Sequence, residues 1–108
     1  MADSLDTSHD EATAPHTWRV ELHGAIDLET APALSTQLDD LAGRDALLVI
    51  VDLSDVTFLD SSGMRALIHG ARVLEDAGGR LLVQGASGAV ERVLELTDVL
   101  RRLSGADD

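Results

Sequence analysis

The run Ala46 to Leu53 constrains the fold more than any other stretch of this chain. It is almost continuously apolar, β-branched at its centre (Val49-Ile50-Val51), and has Asp45 and Asp52 at its limits. A run of this length is strand-sized and far short of what a bilayer span requires. An apolar run of this kind fits a central strand covered on both faces, which demands helices packed against the sheet. The fold it asks for is therefore α/β.

The neighbouring segments supply those helices. Thr17 to His23 alternates, with Trp18, Val20 and Leu22 on one side and Arg19, Glu21 and His23 on the other. That period of two marks a half-buried strand. Gly24 breaks it, and Ala25-Ile26-Asp27 reads as a short extension ending in a turn. Thr30 and Pro32 suit a first helical turn, Leu34, Leu38 and Leu41 form an apolar stripe, and Gly43 is placed to end the helix. After Leu53 a loop is expected, and then Asp60-Ser61-Ser62-Gly63 opens a second helix. That helix carries Met64, Leu67, Ile68, Ala71 and Leu74 on one face and ends at Gly78-Gly79. Arg80 to Gln84 is a further strand, Ser87 a cap for a helix bearing Val90, Val93 and Leu94, and Thr97 to Leu103 a short last helix. Strand and helix alternate as in a single α/β domain with right-handed crossovers. Residues 1–15, with Leu5 their only large aliphatic, read as a flexible N-terminal segment or a weak edge strand. The domain proper is expected over 16–103, with 104–108 as a flexible tail.

Composition narrows the function classes. Acidic residues outnumber basic ones 20 to 8, for a formal charge of −12. A field of that sign repels phosphate backbones and argues against direct nucleic-acid binding or an anionic membrane surface. Two aromatic residues, Trp18 and Phe58, are too few for a base-stacking platform. The absence of cysteine removes thiol catalysis, disulfides and thiolate-bound zinc. His9 and His16 lack the spacing of a metal site, so neither a metal nor a cofactor is expected. The acidic N-terminal segment does not read as a secretory signal or transit peptide, and a cytoplasmic location is expected.

The chemistry concentrates at Asp60-Ser61-Ser62-Gly63. Amides at a helix start lack an intrahelical acceptor, and an Asp or Ser side chain commonly supplies one. The same amides can receive a phosphate. One cap residue would suffice, yet an acid and two hydroxyls stand here, followed by a glycine that weakens a helix. Serine catalysis would need a base against the hydroxyl. The elbow pattern G-x-S-x-G is absent, and His69 lies about two turns along the helix. His23 could act only through a tertiary contact. Gly85-Ala86-Ser87-Gly88 lacks the lysine of a phosphate loop. An enzyme using Ser61 is therefore disfavoured. Phosphorylation of Ser61 is favoured, since it adds about −1.5 to −2 charges beside Asp60 and repels an acidic partner surface.

These residues also carry a family resemblance. Val49-Ile50-Val51-Asp52-Leu53-Ser54-Asp55-Val56-Thr57-Phe58-Leu59-Asp60-Ser61-Ser62-Gly63 closely resembles the signature of the anti-sigma factor antagonists, a STAS domain family. His23-Gly24-Ala25-Ile26-Asp27 is similar to that family's G-E-L-D element, with Ala25 in place of Glu. Met64-Arg65 replaces the small or aliphatic residues usual after Asp-Ser-Ser-Gly. The resemblance implies a single STAS-like domain with a mixed β-sheet of about four strands packed against helices. It further implies a protein that binds an anti-sigma factor, itself a serine kinase, and so releases a sigma factor for transcription. That kinase would phosphorylate Ser61, and a metal-dependent serine phosphatase would reverse it. Asp27, Asp60, Ser61, Ser62, Gly63 and Met64 would form the partner-binding surface. A second reading is a STAS adaptor subunit of a lipid-transport ABC complex.

Overall fold

The computed structural model describes residues 6–11, 15–88 and 90–92, the first of these segments as backbone only. Its elements run β1 (Asp6–Glu11), β2 (Thr17–Ile26), α1 (Ala31–Gly43), β3 (Leu48–Leu59), α2 (Ser61–Asp76) and β4 (Leu81–Gln84). The four strands form one mixed sheet in the order β1-β2-β3-β4. β1 pairs antiparallel with β2, whereas β2 with β3 and β3 with β4 are parallel. The first segment, poor in apolar residues, thus lies along the edge of the sheet. The expected helices beyond Ser87 fall mostly outside the described residues; helical residues at 88 and 90–92 begin the first of them, and Val90 is buried.

The strand order explains the layering. From β2 to β3 to β4 the chain steps across the sheet in one direction, and parallel crossovers are right-handed. Both crossover helices therefore lie on the same face. Val20, Leu22 and Ile26 of β2, Val49, Val51, Leu53, Val56 and Leu59 of β3, and Leu81 and Val83 of β4 point into that face. Leu34, Leu38 and Leu41 of α1 close over them, as their spacing predicts.

Three expectations need correction. β3 is not covered on both faces by the crossover helices: its burial alternates, with Leu48, Ile50 and Asp52 half-buried on the second face. Crossovers of one hand between strands in sequential order cannot place a helix there. Nor does a loop follow Leu53, because β3 continues to Leu59. Its buried positions change phase from Leu53 to Val56 to Leu59, so a strict period of two fails to register it. The Asp52 carboxylate accepts from the Ser54 amide and hydroxyl at this irregularity, and Arg19 of β2 donates to its other oxygen. β2 likewise runs on through Gly24, which has φ 97° and sits where its register with β3 shifts.

The apolar stripe of α2 is also rotated from the expected one. Leu67, Ala71 and Leu74 are buried, but so are Gly63, Ala66 and Gly70, while Met64 and Ile68 are only partly covered. Small residues at 66 and 70 let α2 approach α1: a Cβ on Gly70 would fall 3.0 Å from Leu38 Cβ. Side-chain size, rather than hydrophobicity, sets this contact.

Candidate functional site

β2 and β3 end side by side. Ile26 is the register partner of Leu59, and the Asp60 amide donates to the Ile26 carbonyl at 3.2 Å. The two segments that follow, beginning at Asp27 and Asp60, are therefore neighbours at the C-terminal edge of the parallel strands. Crevices at such edges are where α/β sheets commonly bind their ligands.

Asp60 is the cap of α2. Its backbone is extended (φ −109°, ψ −171°), and Oδ1 accepts from the Ser62 amide at 2.8 Å and the Gly63 amide at 3.1 Å. The Met64 amide donates to the Asp60 carbonyl, beginning the helical ladder. Asp60 thus meets the capping requirement by itself. Neither serine is needed for it, and Ser61 stands exposed with no hydrogen-bond partner for its hydroxyl among the described residues. Of the helix-start amides expected to be able to take up a phosphate, those of Ser62 and Gly63 are occupied by Asp60, while that of Ser61 has no acceptor among the described residues.

Gly63 is buried beneath this junction. A Cβ there would lie 2.5 Å from Leu59 Cδ1 and 2.8 Å from the Ile26 carbonyl oxygen. The glycine lets the first turn of α2 seat directly on the ends of β2 and β3. Its role is close packing below the serines, not only access to them from above. Met64 is partly buried, and Ser62 is half-exposed on the side that faces α1.

Asp27 has a more internal role than the sequence suggests. Its Oδ1 accepts from the Glu29 amide at 3.0 Å and the Thr30 amide at 3.1 Å. The Thr30 hydroxyl accepts from the Asp27 amide at 2.8 Å and lies within donating distance of both the Ala25 carbonyl and Asp27 Oδ1. Thr30 is 5 % exposed and is the one buried polar residue among those described. A place in the first turn does not by itself mark this role; its position three after Asp27 is the available signal.

The two candidate bases are engaged elsewhere. His69 is exposed and meets Asp39 of α1, Nε2 to Oδ1, at 2.8 Å; His23 meets Asp55, Nδ1 to Oδ2, at 2.9 Å. Neither imidazole is set against Ser61. Among the described residues no group of three His, Asp or Glu side chains could hold a metal ion, and no helix is long and apolar enough to cross a membrane. An open groove of about 370 Å³ runs between the start of α1 and α2, past Leu28, Pro32, Ser62, Arg65 and His69. Leu28, 76 % exposed, stands at its edge.

Comparison with known proteins assigns this sheet edge, with its aspartate-capped helix and exposed hydroxyl, to a family. The family model described as "Mlab, STAS domain" matches residues 9–104. The anti-sigma-B factor antagonist of Bacillus subtilis (strain 168) is 33 % identical over 81 residues, which are 75 % of this chain and 71 % of that protein. An anti-sigma factor antagonist from Mycobacterium paratuberculosis has a crystal structure that superposes with a TM-score of 0.79 at 28 % identity, covering 92 % of this chain and 82 % of that one. The phosphorylated form of the Bacillus cell fate determinant SpoIIAA shares the fold at 19 % identity, with a TM-score of 0.69 over 91 % of this chain and 86 % of that one. The chain belongs to the STAS-domain family of anti-sigma factor antagonists.

Proposed function

We propose that this protein is a phosphorylation-switched antagonist of an anti-sigma factor, acting in the cytoplasm. Its unphosphorylated form binds an anti-sigma factor that is also a serine kinase, and the sigma factor is released. The kinase switches the antagonist off at Ser61. The serine Oγ attacks the γ-phosphorus of ATP, the bond to ADP breaks, and the hydroxyl proton passes to a base of the kinase. A metal-dependent serine phosphatase hydrolyses the ester and restores binding. ATP and metal belong to those partners, and the domain itself catalyses nothing.

One observation carries this reading. Asp60 alone caps α2, so the exposed Ser61 hydroxyl has no structural task and can be modified without unfolding the helix start. A phosphate there adds about two negative charges at the edge where Asp27 and Asp60 already lie. An apposed acidic or closely fitting surface is then excluded without any change of fold. Asp60, Ser61, Ser62 and Met64 form the contact surface around the acceptor, Gly63 supports it from below, and Asp27 shapes the neighbouring turn.

Incubation with a cognate anti-sigma kinase and ATP should add one phosphate, located at Ser61 by fragmentation mass spectrometry. Phosphate at another residue, with a kinase that demonstrably binds, would count against the switch. Ser61→Asp should weaken binding by about tenfold or more, whereas Ser61→Ala should bind and resist inactivation. Equal affinities for the two variants would rule out the charge block. The description of the matching family model, "Mlab, STAS domain", favours a second reading, the adaptor subunit of a lipid-transport ABC complex. Co-purification separates the two, yielding either a kinase with a sigma factor or membrane transporter subunits.

A further inference from the structure

We propose that Arg65 is an intramolecular clamp for the phosphate on Ser61, holding it over the groove between α1 and α2; this rests on Ser61 being the modified residue. The helix start is largely committed already, with only the Ser61 amide lacking an acceptor among the described residues. Ser62 and Gly63 donate their amides to Asp60 Oδ1, and Met64 donates to the Asp60 carbonyl. Beyond that one amide, a phosphate on Ser61 is left with water or a cationic side chain within reach.

Arg65 is placed to meet it. Residues four apart on a helix are neighbours, about 5–6 Å between Cβ atoms, and an anion N-terminal to its cation is the favourable order. Ser61 and Arg65 are both exposed on α2 and stand in this relation. Arg19 is paired with Glu21 and Asp52, and Arg44 with Asp40, but Arg65 makes no ion pair or hydrogen bond among the described residues. Arg72 of the same helix is likewise without an ion pair among those residues, as are Arg80 and Arg92, but of the two α2 arginines Arg65 is the one a single turn from Ser61. Arg65 also lines the groove together with Ser62 and His69. A phosphate drawn towards it would lean over the groove mouth and away from Asp60 and from Asp27 on the adjacent strand end. The other titratable group lining this groove is His69, which is held by Asp39.

The test uses the full chain with phosphoserine installed at position 61 during translation, titrated by phosphorus NMR at low salt. An adjacent guanidinium favours the dianion and lowers the second phosphate pKa. Arg65→Gln should raise that pKa by about 0.3 pH unit, a twofold change in proton affinity, with Arg65→Lys changing it less. Arg72→Gln, two turns further along α2, should leave it unchanged, and the Arg65→Gln difference should shrink at high salt. Identical titrations for the Arg65→Gln and parent chains would overturn the clamp, as would an equal shift with Arg72→Gln. Since no kinase takes part, a kinase that ignores Ser61 would defeat the switch while leaving this measurement valid.

Discussion

The ends of β2 and β3 are two solutions to one problem, how a parallel strand passes into a helix. Each strand ends at an apolar residue, Ile26 or Leu59, and an aspartate follows immediately. At the first junction the carboxylate of Asp27 and the hydroxyl of Thr30 bind each other and the local backbone, and Thr30 is buried. At the second, Asp60 takes the amides and the next hydroxyl, on Ser61, faces solvent. The chemical groups are nearly the same, but one hydroxyl is consumed by structure and the other is left over. That surplus distinguishes a turn from a site.

Substitutions can break the comparison, beginning where structure uses the hydroxyl. Thr30→Val keeps the shape but strands the Asp27 amide, and a loss of about 1–3 kcal/mol is expected in urea unfolding. Asp60→Ala removes a cap with two acceptor contacts and should cost about 1 kcal/mol. It should also free the Ser62 and Gly63 amides, so a phosphoserine at 61 would regain a competing anion site and depend less on Arg65.

Asp52 offers a carboxylate away from both junctions. The Ser54 hydroxyl holds its pKa below the ordinary value of 3.8, aided by the Ser54 amide and Arg19 and opposed by burial. A depressed folded-state pKa contributes stability that is present above the unfolded value and lost as pH falls through the folded one. Asp52→Asn should therefore lower stability near neutrality and flatten its decline below pH of about 4, as followed by circular dichroism. An unchanged acid profile would remove Asp52 from the account. Smallest of all, Ser61→Ala should alter stability by less than about 0.5 kcal/mol. A cost comparable to Thr30→Val would mean that the Ser61 hydroxyl is structural after all.

Sequence exposed much of this architecture, though unevenly. The stripe Leu34-Leu38-Leu41 and the apolar centre of β3 are read correctly because burial follows a fixed period there. The continuation of β3 past Ser54-Asp55 is hidden, since the irregularity at Asp52-Ser54 shifts that period by one residue. The placement of both crossover helices on one face is hidden for another reason: it follows from strand order, which a local apolar run does not encode. At the site, the serines and Asp60 announce themselves by residue type. The internal role of Thr30 does not, because a threonine in a helix's first turn looks the same whether its hydroxyl faces water or a carbonyl. The packing role of Gly63 depends on Ile26, 37 positions earlier in the chain, and only the parallel register reveals it.

That register has a consequence for how the protein would be read by others. Asp27 and Asp60 come together only when Ile26 pairs with Leu59, and Ser61 is presented only when Gly63 seats on both strand ends. A peptide spanning Phe58 to Met64 carries the proposed acceptor sequence without its surroundings. A modifying enzyme that reads this surface would pass over fragments, nascent chains and denatured molecules, and act on finished ones. The mark on Ser61 would then certify that its bearer had folded.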